Sequence, residues 1–328
     1  MAALGEFAII ERYFTRPCAE RQAVGDDCAL IDVGAQTLAI TTDMLLEGVH
    51  FLAHADAEAL GHKSLAVNLS DLAAAGARPR CFLLGLAISQ PDERWLADFS
   101  RGLFALAQEY HCALIGGDTS RSVPVVPGHE GPIWISITAI GEVDRALLRG
   151  RSGARPGDDI WVSGRLGEAA LALAIRRGQR EVSAESREEC LRRMDRPEPR
   201  VALGLSLAGL ASAAIDLSDG LVGDLGHVLE RSQVGARVHW PNVPRAEVFQ
   251  TMDVATQQQF VLAGGDDYEL LFTAPPARRA AIGALSTPAL ALTRIGQIEA
   301  QPGLRLVDGS GALIKATLQS FDHFASGA

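Results

Sequence analysis

No stretch of the 328-residue chain approaches the roughly 18 consecutive apolar residues of a membrane-crossing helix, so a membrane-embedded protein is not expected. A basic excess is missing as well: 40 acidic against 30 basic side chains leave a formal net charge of -10. Such a surface repels phosphate backbones and argues against nucleic-acid binding. An anionic small molecule would need metal cations or local arginines to offset the field. The five cysteines (Cys18, Cys28, Cys81, Cys112 and Cys190) are odd in number, widely spaced and without a CxxC pair. That argues against a disulfide framework or a zinc ribbon and for a reducing cytoplasm. The opening MAALGEFAIIERYF places Glu6 and Glu11 inside its apolar stretch and shows neither a basic leader nor a cleavage site, so export is not expected.

The familiar nucleotide signatures are absent too. There is no GxxxxGK[ST] loop, and GHKS at 61–64 lacks the Gly-Lys order. No GxGxxG follows a strand, no HRD or DFG triplet occurs, and there is no GxSxG elbow. Any phosphate binding must use another arrangement.

Hydrophobic residues make up 48% of the chain and charged ones 21%, the balance of a globular protein with a sizeable core. The length suggests two domains. Apolar β-branched runs alternate with amphipathic stretches, the pattern of an α/β (or α+β) protein. Strands are expected at 28–32, 37–42, 81–88, 112–116 and 133–143, with helices at 57–75 and 92–110. Gly76 falls where a left-handed C-cap would end the first helix, and Pro79 blocks its continuation. In the second, Trp95, Leu96, Phe99, Leu103, Leu106, Ala107 and Tyr110 share a face. The Arg-, Gly- and Pro-rich segment 144–159 reads as a domain junction, dividing residues 1–149 from 150–328. Beyond it come a strand at 160–163, helices near 167–177, 199–211 and 221–231, and strands near 258–263, 269–273 and 291–298. Residues 178–198 read as a charged surface excursion, and the tail FDHF as a segment that docks back on the body.

Aspartates recur directly after the apolar runs: Asp26 and Asp27 in GDDCA, Asp43 in AITTDM and Asp71 in NLSDLAAAGA. Asp118 follows LIGG, Asp216 and Asp219 lie in AIDLSDGL, and Asp266 and Asp267 in LAGGDDYELLF. One Asp-Gly pair is usually turn chemistry. Six clusters of carboxylates at strand ends, beside glycines that let a ligand approach, are what a polyphosphate-metal site needs. The donors are hard oxygens with almost no Cys or His, which favours magnesium shared with phosphates. His50 and His54 are spaced as a zinc pair on a helix would be, but no HExxH surrounds them and a loop or helix face accounts for them better. In the helix at 57–75, Lys63, Val67 and Asp71 lie on one face with Asn68 beside them. An exposed, solvated face would explain that pattern, although the apolar surroundings weigh against it.

Taken in order, GDDCA, TTDMLLEGVHF, HKSLAVNLSDLAAAGARP, GGDTS, RSGARPGD, IDLSDGL and GGDDYELLF resemble the thiamine-monophosphate kinase family, from about Gly25 to Phe324. That family lies in the ATP-binding superfamily of aminoimidazole ribonucleotide synthetase. The resemblance implies a two-domain fold of that type, with an N-terminal sheet-plus-helices domain for ATP, magnesium and dimerisation and a C-terminal α/β domain. It implies transfer of phosphate from MgATP to thiamine monophosphate, giving thiamine diphosphate and ADP, in a cytoplasmic homodimer that uses several magnesium ions. By the same resemblance Asp27, Thr41, Thr42, Asp43, Asp71, Asp118, Asp216 and Asp219 match metal ligands, and Gly117, Asp118, Arg151 and Ser218 match nucleotide contacts. His50 and the tail aromatic Phe321 match substrate contacts, as does one carboxylate of GGDDYE, with Asp266, Asp267 and Glu269 as the alternatives. Phe321 stands where Trp or Tyr is expected, and 122–132 is longer than the usual link.

The inventory suits that chemistry. A phosphate monoester is mostly a dianion near pH 7, so no general base is needed and no catalytic dyad is expected. ATP and a monophosphate together carry about six negative charges, which only cations between them can offset. Other acceptors in the superfamily fit less well: Cys18 has no nearby lysine, as selenium activation would require. A nucleotide sensor without turnover and a two-metal phosphatase remain the alternatives from other classes.

Overall fold

The structure, a computed structural model, describes residues 5–15, 25–124, 131–144 and 150–314. In the segment QTLAITTDMLL, Thr37, Ala39, Thr41 and Leu45 are buried while Leu38, Ile40, Thr42 and Met44 face the other way, the alternation of a half-covered strand. This is β2 (Gln36–Leu46), which joins β1 (Ala29–Val33), β3 (Arg78–Ile88), β4 (Ala113–Arg121) and β5 (Trp134–Val143) in a sheet of order β1-β2-β5-β3-β4. Only the β3–β4 pair is parallel.

After the short α1 (Glu6–Ile9), helices α2 (Ala57–Ala74) and α3 (Glu93–Glu109) pack together beside this sheet. Asp56 caps α2 by accepting from the Ala59 amide at 2.8 Å. Its end is closed by Gly76 at φ +68, with Ala77 N bonded to Leu72 O at 2.8 Å and Gly76 N to Ala73 O at 3.0 Å. In α3 the expected face is realised by buried Phe99, Leu103, Leu106 and Ala107, with Trp95, Leu96 and Tyr110 partly buried.

The second sheet, β11-β8-β10-β6-β9-β7, is built from β6 (Asp159–Ser163), β7 (Ala213–Asp216), β8 (Gly235–His239), β9 (Leu270–Ala274), β10 (Leu292–Glu299) and β11 (Gly303–Val307). Helices α4 (Glu168–Arg176), α5 (Ala184–Asp195), α6 (Val201–Ser206), α7 (Leu221–Ser232), α8 (Val254–Ala263) and α9 (Arg279–Gly283) complete this half. The core of the first sheet continues across α2 to Val201, Leu203, Leu270 and Phe272 of the second half. Covered from both sides, α2 buries 14 of its 18 residues, so its polar residues Lys63, Ser64, Asn68 and Ser70 do not form a solvated face.

Several expectations are corrected. Residues 258–263 are helical, not a strand: Asp253 caps α8 through the Thr256 amide at 3.0 Å, and a short apolar run does not by itself distinguish the two states. The excursion at 178–198 contains α5, whose buried edge is only Cys190 and Met194, too narrow to register as periodicity. The helix expected to reach 211 stops at Ser206. Strands β7, β8 and β11, of four or five residues each, were not anticipated. His50 and His54 lie in the loop between β2 and α2, not on a helix. Among the described residues no helix is long and apolar enough to cross a membrane. The outer face of the first sheet, away from the helices, leaves Ile31, Met44, Leu83 and Trp134 more than a third exposed.

Candidate active site

The carboxylates that close the apolar runs converge from both halves of the chain. Asp27 precedes β1, Asp71 sits two turns beyond Lys63 in α2, and Asp216 ends β7; their oxygens lie within 4.8 Å of one another. They open onto a cavity of about 410 Å³ whose walls also include Asp26, Thr41, Asp43, Asp219 and Arg151. Each is held from behind. Thr41 Oγ1 donates to Asp71 at 2.5 Å, and Ser70 Oγ to Asp216 at 2.6 Å. Asn68 Oδ1 accepts from the Asp43 amide at 3.2 Å. Arg151 reaches Asp27 at 2.7 Å, while its own amide donates to Asp26 at 2.7 Å.

So many acids in one buried place oppose each other's ionisation. Burial, reinforced by Asp219 and Asp27, lifts the Asp43 carboxyl to about 6. Burial and Asp27 lift Asp216 to about 8 against the Ser70 hydrogen bond. Asp71 is pushed well above the carboxylate range by burial and by Asp43, and Asp27 is raised by burial in spite of Arg151. Asp224, one turn into α7, accepts from the Asp219 amide at 3.1 Å and is raised by burial and by Asp219; sequence reasoning passed it over because it lies inside a helix. Arg151 is the one arginine lining this cavity among the described residues, and although burial works against its charge, Asp27 holds it protonated. An all-oxygen donor set with this deficit of positive charge fits a hard divalent cation such as magnesium.

Another wall of the cavity is shaped by the loop at 264–269. Gly265 packs so closely on the loop after β7 that a Cβ would stand 2.3 Å from Ser218 O. Asp266 N donates to Ser218 O and Tyr268 N to Leu217 O, both at 2.8 Å, which laces the two loops together. Asp266 and Tyr268 take φ of +69 and +50, a conformation that non-glycine residues adopt at a cost. Gly265, Asp266 and Tyr268 line the cavity with Val49, His50, Lys63, Ala169, Ala170 and Leu173.

Of the three carboxylates left open in GGDDYE, Asp266 is therefore the one facing the cavity. Asp267 turns both oxygens to the Gly167 amide, at 2.9 and 3.0 Å, at the start of α4. Glu269 is fully buried and takes Arg200 at 2.6 and 2.7 Å, Arg193 at 3.0 Å and Ser163 at 2.5 Å. Thr41, Ser218 and His50 line the cavity, the last with Nδ1 accepting from the Leu46 amide at 3.0 Å. Thr42 reaches its rim from the outer face of the sheet, 3.0 Å from Thr138 Oγ1. Gly117 and Asp118 are not brought there. They lie on the exposed edge strand β4, three strands from β2 and about 14 Å away at normal strand spacing. Phe321 lies outside the described residues.

Comparison with known proteins agrees with this architecture. Residues 25–143 match the AIR synthase related protein N-terminal domain and residues 155–309 its C-terminal domain. The thiamine-monophosphate kinase of Salmonella typhimurium is 43% identical over 99% of both chains. The solved thiamine-monophosphate kinase of Stenotrophomonas maltophilia is 41% identical, with a TM-score of 0.77 over 95% of this chain and 98% of that one. A further structure, described as AaThiL complexed with AMPPCP and TMP, is 30% identical with a TM-score of 0.81 over 98% and 97% of the two chains. Two AIR-synthase-type domains and full-length identity at this level mean that the chain belongs to the thiamine-monophosphate kinase family.

Proposed function

We propose that the chain transfers the terminal phosphate of ATP to the phosphate of thiamine monophosphate, releasing thiamine diphosphate and ADP. The observation that carries this reading is the convergence of Asp27, Asp71 and Asp216 within 4.8 Å at one end of a cavity large enough for both phosphates. Relatives named for this activity align over the whole chain, and the complexed relative is described with AMPPCP and TMP. Magnesium ions held by Asp27, Thr41, Thr42, Asp43, Asp71, Asp216 and Asp219, with Asp118, would offset the phosphate charge that these carboxylates alone repel.

The acceptor is already a dianion, so its oxygen attacks the terminal phosphorus directly, a new P–O bond forming as the bond to ADP breaks. No side chain has to remove a proton, and no phosphoenzyme is formed. Arg151, fixed by Asp27 and Asp26, and Ser218 would hold the nucleotide. Val49, Leu173 and Tyr268 offer an apolar wall to the thiamine rings, with His50 and Asp266 as polar contacts.

Asp118 and Gly117 enter through a second copy of the chain. The uncovered outer face bearing Met44, Leu83 and Trp134 also carries Thr42 and Asp118. Stacking that face on its copy would hide the apolar residues and carry one chain's Asp118 towards the other's Thr42. A cytoplasmic homodimer is therefore part of the proposal. Cys28, Cys81, Cys112 and Cys190 as free thiols suit that compartment.

The test is to incubate pure protein with MgATP and thiamine monophosphate and follow ADP and thiamine diphosphate by chromatography, with free thiamine as control. Diphosphate formed one-for-one with ADP, from the monophosphate alone, is expected. Release of inorganic phosphate from thiamine monophosphate would instead favour a phosphatase.

A further inference from the structure

Two of the chain's 30 basic side chains are lysines, Lys63 and Lys315. Lys63 is also buried, 6% exposed, with its Nζ 2.8 Å from Asp266 Oδ2. The other oxygen of Asp266 accepts from the Tyr268 hydroxyl at 3.0 Å. With its side chain 38% exposed, Asp266 still presents its carboxylate to the cavity.

Lys63 stands away from Asp71 of the carboxylate cluster. Lys63 and Asp71 are eight residues apart in α2, about 12 Å along the helix axis, with Val67 between them on the same wall. A helical side chain leans towards the helix N-terminus, which carries Lys63 further from the carboxylate cluster. A small hollow of about 60 Å³ adjoins the cavity here, and Lys63, Asp266, Val49 and Leu173 line both. The hollow mixes apolar Val49, Phe51, Leu52, Leu60 and Leu173 with His50, Asp56, Arg176, Arg177 and Asp195, and the Lys63–Asp266 pair is the charged pair it shares with the main cavity.

A substrate whose phosphate lies at the carboxylate cluster and whose two rings extend along the cavity brings its second ring against this pair. In thiamine that ring is a pyrimidine with an exocyclic amine next to a ring nitrogen, a donor beside an acceptor. Asp266 supplies an acceptor, and the Lys63 ammonium, with one of its three N–H groups on Asp266, supplies a donor beside it. We propose that Lys63 is a specificity-determining residue that donates to the ring nitrogen while Asp266 accepts from the amine. This rests on thiamine monophosphate being the acceptor. An arginine would not serve, because its planar fork pairs with both oxygens of a carboxylate and would occupy Asp266 completely. That accounts for a lysine at this position in a chain whose other basic side chains, Lys315 apart, are arginines.

The experiment compares thiamine monophosphate with the analogue in which oxo replaces the amine, which reverses donor and acceptor on that edge. With MgATP saturating, kcat/KM is measured for both acceptors on the wild-type protein and on Lys63→Met. The variant should lose mainly KM for thiamine monophosphate and narrow the preference for amine over oxo by about tenfold or more, with KM for ATP within about threefold. An equal loss on both acceptors would make Lys63 a mere prop for the 264–269 loop and overturn the proposal. Should Lys63→Met fail to fold, Lys63→Arg provides the second reading. It should raise KM for thiamine monophosphate about tenfold and leave that for ATP in place; an unchanged KM for thiamine monophosphate overturns the proposal. A wild-type protein that phosphorylates neither acceptor removes the underlying substrate reading, a result distinct from either of these.

Discussion

Glu269 and Asp216 are both buried carboxylates, 0% and 3% exposed; Asp216 ends β7 and Glu269 immediately precedes its neighbour β9. Glu269 is surrounded by Arg200, Arg193 and Ser163; burial opposes its charge, but these partners hold its carboxyl below the ordinary range. Asp159 repeats the pattern, fully buried with Arg279 at 2.6 and 2.8 Å and Arg294 at 3.2 Å. Asp216 instead faces other aspartates, with Ser70 as its hydrogen-bond donor, and is lifted to about 8. Where the chain needs a buried acid only for structure, it supplies the counter-charge itself. Where it leaves several acids short of positive charge, it has built a place for a cation.

The sharpest way to break this contrast is to remove one acid of each kind. Asp43→Ala should lower turnover by about 10³-fold with the fold intact, because it removes an oxygen ligand and little core volume. Near-normal turnover at saturating magnesium, with an unaltered circular-dichroism spectrum, would separate Asp43 from the metal site. Glu269→Gln should do the reverse. Leaving Arg193 and Arg200 buried against a neutral partner should cost about 3–5 kcal/mol in denaturant unfolding while magnesium still stabilises the protein. A variant as stable as the parent would show that the arginines find solvent instead.

The contrast should also appear as a pH dependence. Asp43 near 6 and Asp216 near 8 lie above their unfolded values, so each favours the folded state while protonated. That contribution is lost as pH rises through the folded values. The melting temperature of chelator-treated protein should therefore fall from about pH 4 to about pH 8, and the gain on adding magnesium should grow over the same window. A magnesium gain independent of pH would contradict the raised values. The smallest effect concerns Asp267. Asp267→Asn keeps one acceptor for the Gly167 amide and should cost about 1 kcal/mol without changing KM for thiamine monophosphate. A raised KM would restore Asp267 as a substrate contact.

Much of this was legible in the sequence because it is local. Alternation along 37–42, the cap at Gly76 and the helical face from Trp95 to Tyr110 depend on neighbours within a turn or a strand. The order of the Asp-bearing motifs also sufficed to identify the family. Where local signals weaken, the expectations failed. The run QFVLA is helical because of a cap at Asp253, six residues before its first glutamine, and packing from elsewhere, and the edge of α5 is two residues wide. Strands as short as Ala213–Asp216 take their identity from the partners that bury them.

The sequence alone therefore determined the chemistry on offer: hard-oxygen ligands at strand ends and an arginine, Arg151, at the start of the second half. Only the tertiary structure decided which of these groups meet. Carboxylates nearly 190 residues apart become neighbours because α2 is buried between both halves of the chain. Asp266 rather than Asp267 or Glu269 faces the cavity because a loop pinned to Ser218 turns alternate side chains to opposite sides. Asp118 stays remote because β4 lies at the far edge of its sheet. Sequence spacing describes positions along one line, whereas a charge feels every group within a few ångströms in three dimensions.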